Sequence, residues 1–118
     1  MKRNTIKKHD DFKMTDANPS ARSLFFTVRA KPTLFPGDAR YGVVAIKRIF
    51  RLAIRRNRAK RLLRDWIAPF ESMLSPGMDY VFIARPEILT ASRDEGRWAM
   101  YKALRYILKH DWGTGNAA

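Results

Sequence analysis

An α+β sandwich, with helices packed on a sheet, is the fold class this sequence predicts, and three patterns predict it. Apolar residues recur at steps of three and four from about Ala53 to Leu74 and again between Ser92 and Leu108. Short alternating or β-branched runs lie at 23–30, 41–46 and 80–84. These segments interleave in the order α, two or three β, α, β, α, which segregates helices onto a sheet. At 118 residues the chain has room for one modest core, so a single domain over 1–118 is expected, with a flexible C-terminal tail from about 111.

A first helix is expected to begin near Lys8 and run through Asp11-Phe12-Lys13. Phe12 and Ile6 would face inward, and the helix would stop before Asn18-Pro19 because a residue preceding proline avoids the α region. Ser23 to Ala30 reads as a strand, with Leu24, Phe26 and Val28 toward the core and Phe25, Thr27 and Arg29 on the opposite face. Pro32, Pro36 and Gly37 make a turn-rich connection to a second strand, Tyr41 to Ile46. The helix from Ala53 carries Ala59, Leu62, Leu63, Trp66, Ile67, Phe70, Met73 and Leu74 as its stripe. Pro69 lies off that stripe and kinks or restarts the helix. Pro76-Gly77 is a turn, and Tyr80 to Ala84, closed by Pro86, is a short apolar strand expected at the centre of the sheet. Ser92 with Glu95 forms a capping box for the last helix, whose stripe is Met100, Ala103, Leu104, Ile107 and Leu108.

Charge narrows the function. With 24 Lys+Arg against 11 Asp+Glu the net charge is +13, which repels itself in a compact state unless an anionic partner screens it. The chain has no cysteine, which excludes disulfides, cysteine zinc sites and thiol catalysis and suits a reducing cytoplasm. It has no apolar run approaching the roughly 20 residues a membrane span needs, so an unprocessed, soluble, cytoplasmic protein without a membrane partner is expected.

Between Lys47 and Arg64 stand nine basic residues and no acidic one. A merely solvated helix face would interleave signs to form i,i+4 pairs. Here like charges repel by a few tenths of a kcal/mol per pair, and Arg55, Arg56 and Arg58 sit where the helix dipole disfavours cations by roughly 0.3–1 kcal/mol each. Stability alone would not choose this arrangement. Asn57, Lys60, Arg61 and Arg64 share one helical face, opposite Ala59, Leu63, Trp66 and Phe70. Arginine outnumbers lysine, which favours bidentate grip on phosphate. RNA or DNA contact through this face is the expectation.

The stretch Arg56-Asn57-Arg58-Ala59-Lys60-Arg61-Leu62-Leu63-Arg64 resembles the R-N-R-x-K-R-x-x-R signature of the ribonuclease P protein family. Arg40-Tyr41-Gly42 with Lys47-Arg48, Asp79 to Arg85, and Asp11-Phe12 after a basic start resemble that family's flanking motifs in order, from about Arg3 to Lys109. The resemblance implies an α-β-β-β-α-β-α sandwich with a left-handed β-α-β crossover, of the ribosomal protein S5 domain 2-like kind, a hand that pattern reasoning would not have proposed. It implies the protein subunit of an endoribonuclease that removes the 5′ leader of precursor tRNA. Hydrolysis would be performed by a catalytic RNA with bound Mg2+, and one protein would serve each RNA. By this likeness Lys47, Arg48, Arg56, Asn57, Arg58, Lys60, Arg61 and Arg64 face the RNA subunit, while Phe12, with Phe25, Thr27 and Arg29, lines a cleft for the single-stranded leader. Phe12 reads equally well as a core residue, because both roles call for an aromatic on that helix. Two departures stand out: Asp16 where many members carry a second aromatic, and Ile49-Phe50-Arg51 where many carry a glycine after the basic pair.

No catalytic or metal-binding residue is expected in the protein itself. His9 adjoins Asp10-Asp11, but successive helical positions diverge, and His110 falls in the tail. Two rival classes remain at this level, a ribosomal or ribosome-assembly protein and a DNA-binding module that lays the basic helix in a major groove.

Overall fold

The computed structural model describes residues 4–5, 19–33 and 37–109. The helix expected near Lys8, with Phe12 and Asp16, lies outside the described residues, as does the tail from 110. Five strands, β1 (Asn4–Thr5), β2 (Ser20–Arg22), β3 (Phe26–Pro32), β4 (Arg40–Val44) and β5 (Met78–Ala84), form one sheet in the order β1-β4-β5-β3-β2. The strand expected at the centre is there, antiparallel to β3 on one side and parallel to β4 on the other.

Parallel neighbours cannot be joined by a hairpin, so the chain crosses over between β4 and β5. The crossover carries α1 (Ala53–Ile67), which packs through buried Ala59, Leu63, Trp66 and Ile67. Helix α1 is shorter than the sequence periodicity suggests. Pro69 cannot continue the hydrogen-bond ladder, so the chain tightens into a 3-10 segment at Ala68–Met73, with Phe70 at φ −118°. Phe70 and Met73 still pack against the core, and Leu74 is buried. Gly77, at φ +79°, makes the expected turn.

The strand expected over 23–30 splits into a hairpin instead. The Ser23 hydroxyl accepts from the backbone N–H groups of Phe25 and Phe26, both at 3.1 Å, and this local turn competes with strand pairing. Strand β3 therefore starts at Phe26, with Phe26, Val28 and Ala30 buried, while Leu24 projects from the bend at 61% exposure rather than facing the core. The short β2, polar at both ends, carries no pattern of its own.

After a second 3-10 segment at Pro86–Thr90 comes α2 (Arg93–Lys109). Its capping box is formed as expected: the Glu95 N–H donates to Ser92 Oγ at 3.1 Å, and the Ser92 N–H donates to Glu95 Oε1 at 2.9 Å. Met100, Ala103, Leu104 and Ile107 are buried as read, but Leu108 is exposed, because the stripe runs instead through Gly96 and Ala99. The core lies between the helices and one sheet face, built on Trp66, Phe26, Phe82, Tyr41 and Tyr80 in mutual ring contact.

Candidate nucleic-acid interface

The cationic segment begins in the turn after β4. Phe50 is buried and anchors this turn, and its N–H donates to the Ile46 carbonyl at 2.8 Å. Lys47, Arg48 and Ile49 are left on the outside. Of Ile49-Phe50-Arg51, only Phe50 turns inward, as a hydrophobic plug between the strand and the helix. Helix α1 then starts at Ala53, its N-cap residue Leu52 offering no side-chain cap and its first turn no acidic residue, so its free N–H groups add to the positive charge of the arginines.

Of the residues expected to face RNA, Lys47, Arg48, Asn57, Arg58, Arg61 and Arg64 are exposed and Lys60 is half-buried. Among the described residues, none of the nine cations from Lys47 to Arg64 forms an ion pair. Arg56 differs. It is half-buried, and its Nη1 donates to the carbonyls of Phe50 at 2.9 Å and Arg51 at 3.1 Å. It therefore latches the basic turn onto the helix and leaves less of its guanidinium to a ligand. Helical spacing puts Arg56 on the flank of the stripe of Ala59 and Leu63, and the path of the preceding turn supplies the carbonyls it meets.

The first acidic residue beyond the stretch, Asp65, points away from it to α2. Arg93 and Arg97 each approach its carboxylate at 3.3 Å. The hydrogen bond from Arg93, with the charges of Arg93 and Arg97, outweighs desolvation and holds the Asp65 carboxyl below its ordinary value of 3.8. A depressed carboxylate stabilises the fold above that value and loses its contribution as pH falls below it. Asp65→Asn should thus cost about 1 kcal/mol or less at neutral pH in a urea titration, with the difference from the parent shrinking as the pH is taken below 3.8. A difference that did not shrink on acidification would assign Asp65 a packing role.

The second group of expected residues lies on the other side of the sheet. Core contacts place Phe26, Val28 and Ala30 toward α1, so Thr27 and Arg29 face away from it, and pairing sets Arg22 opposite Thr27 and Ser20 opposite Arg29. Arg40 and Asp79, paired in register on β4 and β5, share that face. Phe25 does not join them. It sits in the bend before β3, its ring edge-on to Trp66 at 5.9 Å, because the Ser23 turn breaks the alternation that would have put it beside Thr27 and Arg29. Among the described residues no group of three or more His, Cys, Asp or Glu could hold a metal ion. Nor is any described helix long and apolar enough to cross a membrane.

The family model described as Ribonuclease P matches residues 1–108. A Ribonuclease P protein component of Brevibacillus brevis is 30% identical over 105 residues, 88% of this chain and 79% of that protein. One from Nitratiruptor is 37% identical over 75 residues, 64% of this chain and 67% of the relative. In structure the chain is similar to the Staphylococcus aureus RNase P protein, with TM-score 0.72 at 23% identity over 89% of this chain and 95% of that one. It is also similar to the RNase P protein from Thermotoga maritima, with TM-score 0.59 at 25% identity over 82% and 86%. With sequence likeness along most of its length and the fold of those structures, the chain belongs to the ribonuclease P protein family.

Proposed function

We propose that this chain is the RNA-binding protein subunit of ribonuclease P. It lays the exposed cations of α1 and the preceding turn against a catalytic RNA, and with Thr27 and Arg29 of β3 it holds the single-stranded leader of precursor tRNA. The observation that carries this reading is a run of nine cations, without an ion pair among the described residues, six of them on a helix whose back is buried and three in the turn before it. Such charges raise the free energy of the isolated protein and are neutralised by the closely spaced phosphates of folded RNA.

Endonucleolytic removal of the 5′ leader is assigned to the RNA subunit, with Mg2+ held there. The described residues supply no carboxylate cluster for a metal-assisted hydrolysis of their own. The protein contributes affinity and substrate placement, in a complex of one protein per RNA. Phe12, outside the described residues, is assigned to the leader by family likeness, and Phe25, turned to Trp66, is withdrawn from that set.

Reconstitution with a bacterial RNA subunit at low magnesium tests the reading: cleavage of leader-bearing precursor tRNA should rise on adding the protein. Arg61→Ala, at an exposed position, should weaken binding to the RNA subunit and flatten its salt dependence by about 0.7–0.9 for each phosphate no longer neutralised. Equal retention of tRNA with and without its leader would favour a structural RNA binder instead, and an unchanged salt slope in Arg61→Ala would remove the α1 face from the interface.

A further inference from the structure

The hairpin of β2 and β3 and the outer side of α2 enclose a groove of about 620 Å³, lined by Ala21, Leu24, Phe25, Trp98, Lys102 and Tyr106 among others. Its rim carries large apolar side chains in solvent: Leu24 is 61%, Trp98 60% and Tyr106 48% exposed. The buried residues of α2 are Gly96, Ala99, Met100, Ala103, Leu104 and Ile107, on the face turned from this groove's rim. An exposed apolar cluster of this size marks a contact surface.

Its chemistry is aromatic and cationic together. The Trp98 ring lies nearly parallel to that of Tyr101, with centroids 5.7 Å apart, and the Lys102 ammonium stands 5.6 Å from the Trp98 ring. Arg22 lines the groove from β2. Glu95 is the one acid among the described lining residues, and its carboxylate is held back at the helix start by the Ser92 N–H.

We propose that this groove is a second RNA-contacting surface, which takes unpaired bases of single-stranded RNA against Trp98 and Tyr106 while Lys102 and Arg22 meet the adjoining phosphates. Charge selects this occupant over a second copy of the chain. Self-association would set two chains of net charge +13 together with Arg22 and Lys102 in the interface, whereas each phosphate relieves that repulsion. An aromatic platform beside cations accepts any base and suits strands of variable sequence.

The test uses the full chain and a fluorescein-labelled oligoadenylate of about ten nucleotides, followed by anisotropy. Trp98→Ala should weaken binding by about 5- to 150-fold with the salt slope unchanged, the effect expected for one stacked base. Trp98→Phe should restore most of the affinity. Lys102→Ala should lower the slope by about 0.7. An oligonucleotide carrying 5-iodouridine should cross-link to Trp98 or Tyr106. Parent-like affinity in Trp98→Ala, or cross-links confined to α1 and the sheet, would overturn the proposal. So would loss of self-association in sedimentation with oligonucleotide binding intact, which would make the surface a contact between copies. Binding of Arg61→Ala to the RNA subunit is read separately, so either surface can fail without the other.

Discussion

Gly96→Ala is expected to destabilise the protein by about 3 kcal/mol, against the usual direction for glycine in a helix. In an open helix the same change stabilises by about 1 kcal/mol, because alanine has less backbone entropy to lose. Here a Cβ on Gly96 would lie 2.0 Å from Trp66 Cε2 and 2.1 Å from Cζ2. Those atoms belong to the six-membered part of a fully buried indole, which has no flexible end to give way. Either α2 lifts from α1 or Trp66 leaves its place against Phe26, and overpacking of this kind typically costs about 1–3 kcal/mol, occasionally more. Thermal unfolding should show a Tm lower by on the order of 10 °C. A Tm equal to or above the parent's would mean that the two helices do not meet at this glycine. The consequence reaches function: Trp66 seats the helix that carries the cations, so the variant should also bind the RNA subunit less tightly even though no cation has changed.

Arg40→Met should cost about 3–5 kcal/mol, the range for breaking one half of a buried ion pair. Asp79 is 1% exposed and Arg40 19%, and the guanidinium meets the carboxylate in bidentate fashion, Nε donating to Oδ1 at 2.9 Å and Nη2 to Oδ2 at 2.6 Å. Nη2 also donates to Thr33 Oγ1 at 3.3 Å, tying the segment after β3 to the same point. The pair bridges β4 and β5, the parallel strands between which α1 crosses, so its removal should loosen the base of that crossover. Methionine keeps much of the volume but leaves a buried carboxylate with a main partner gone. Replacing Asp79 by leucine in the same variant should recover much of the stability in urea denaturation, since exchanging a whole buried pair for apolar groups is often neutral. If the double variant were no better than Arg40→Met, the arginine's packing would be its contribution and the charge pairing incidental.

Much of the functional side was legible in the sequence, because it rests on composition and period. Nine cations without an acid, with Lys60, Arg61 and Arg64 beside Asn57 on the helical face opposite Ala59, Leu63 and Trp66, define a buried back and a charged front in any fold that buries the apolar stripe. The capping box at Ser92 and Glu95 and the turn at Pro76-Gly77 were equally legible, since each is closed by atoms a few residues apart. Contacts distant along the chain could not be read. That Phe25 turns to Trp66, that Arg56 spends hydrogen bonds on the carbonyls of Phe50 and Arg51, and that Gly96 is where α2 clears an indole all follow from tertiary packing. A residue's own neighbours set its period and charge. Which partner it meets is decided by where the rest of the chain can be buried, and this is why the sequence determined what α1 presents while the fold alone decided how it is held.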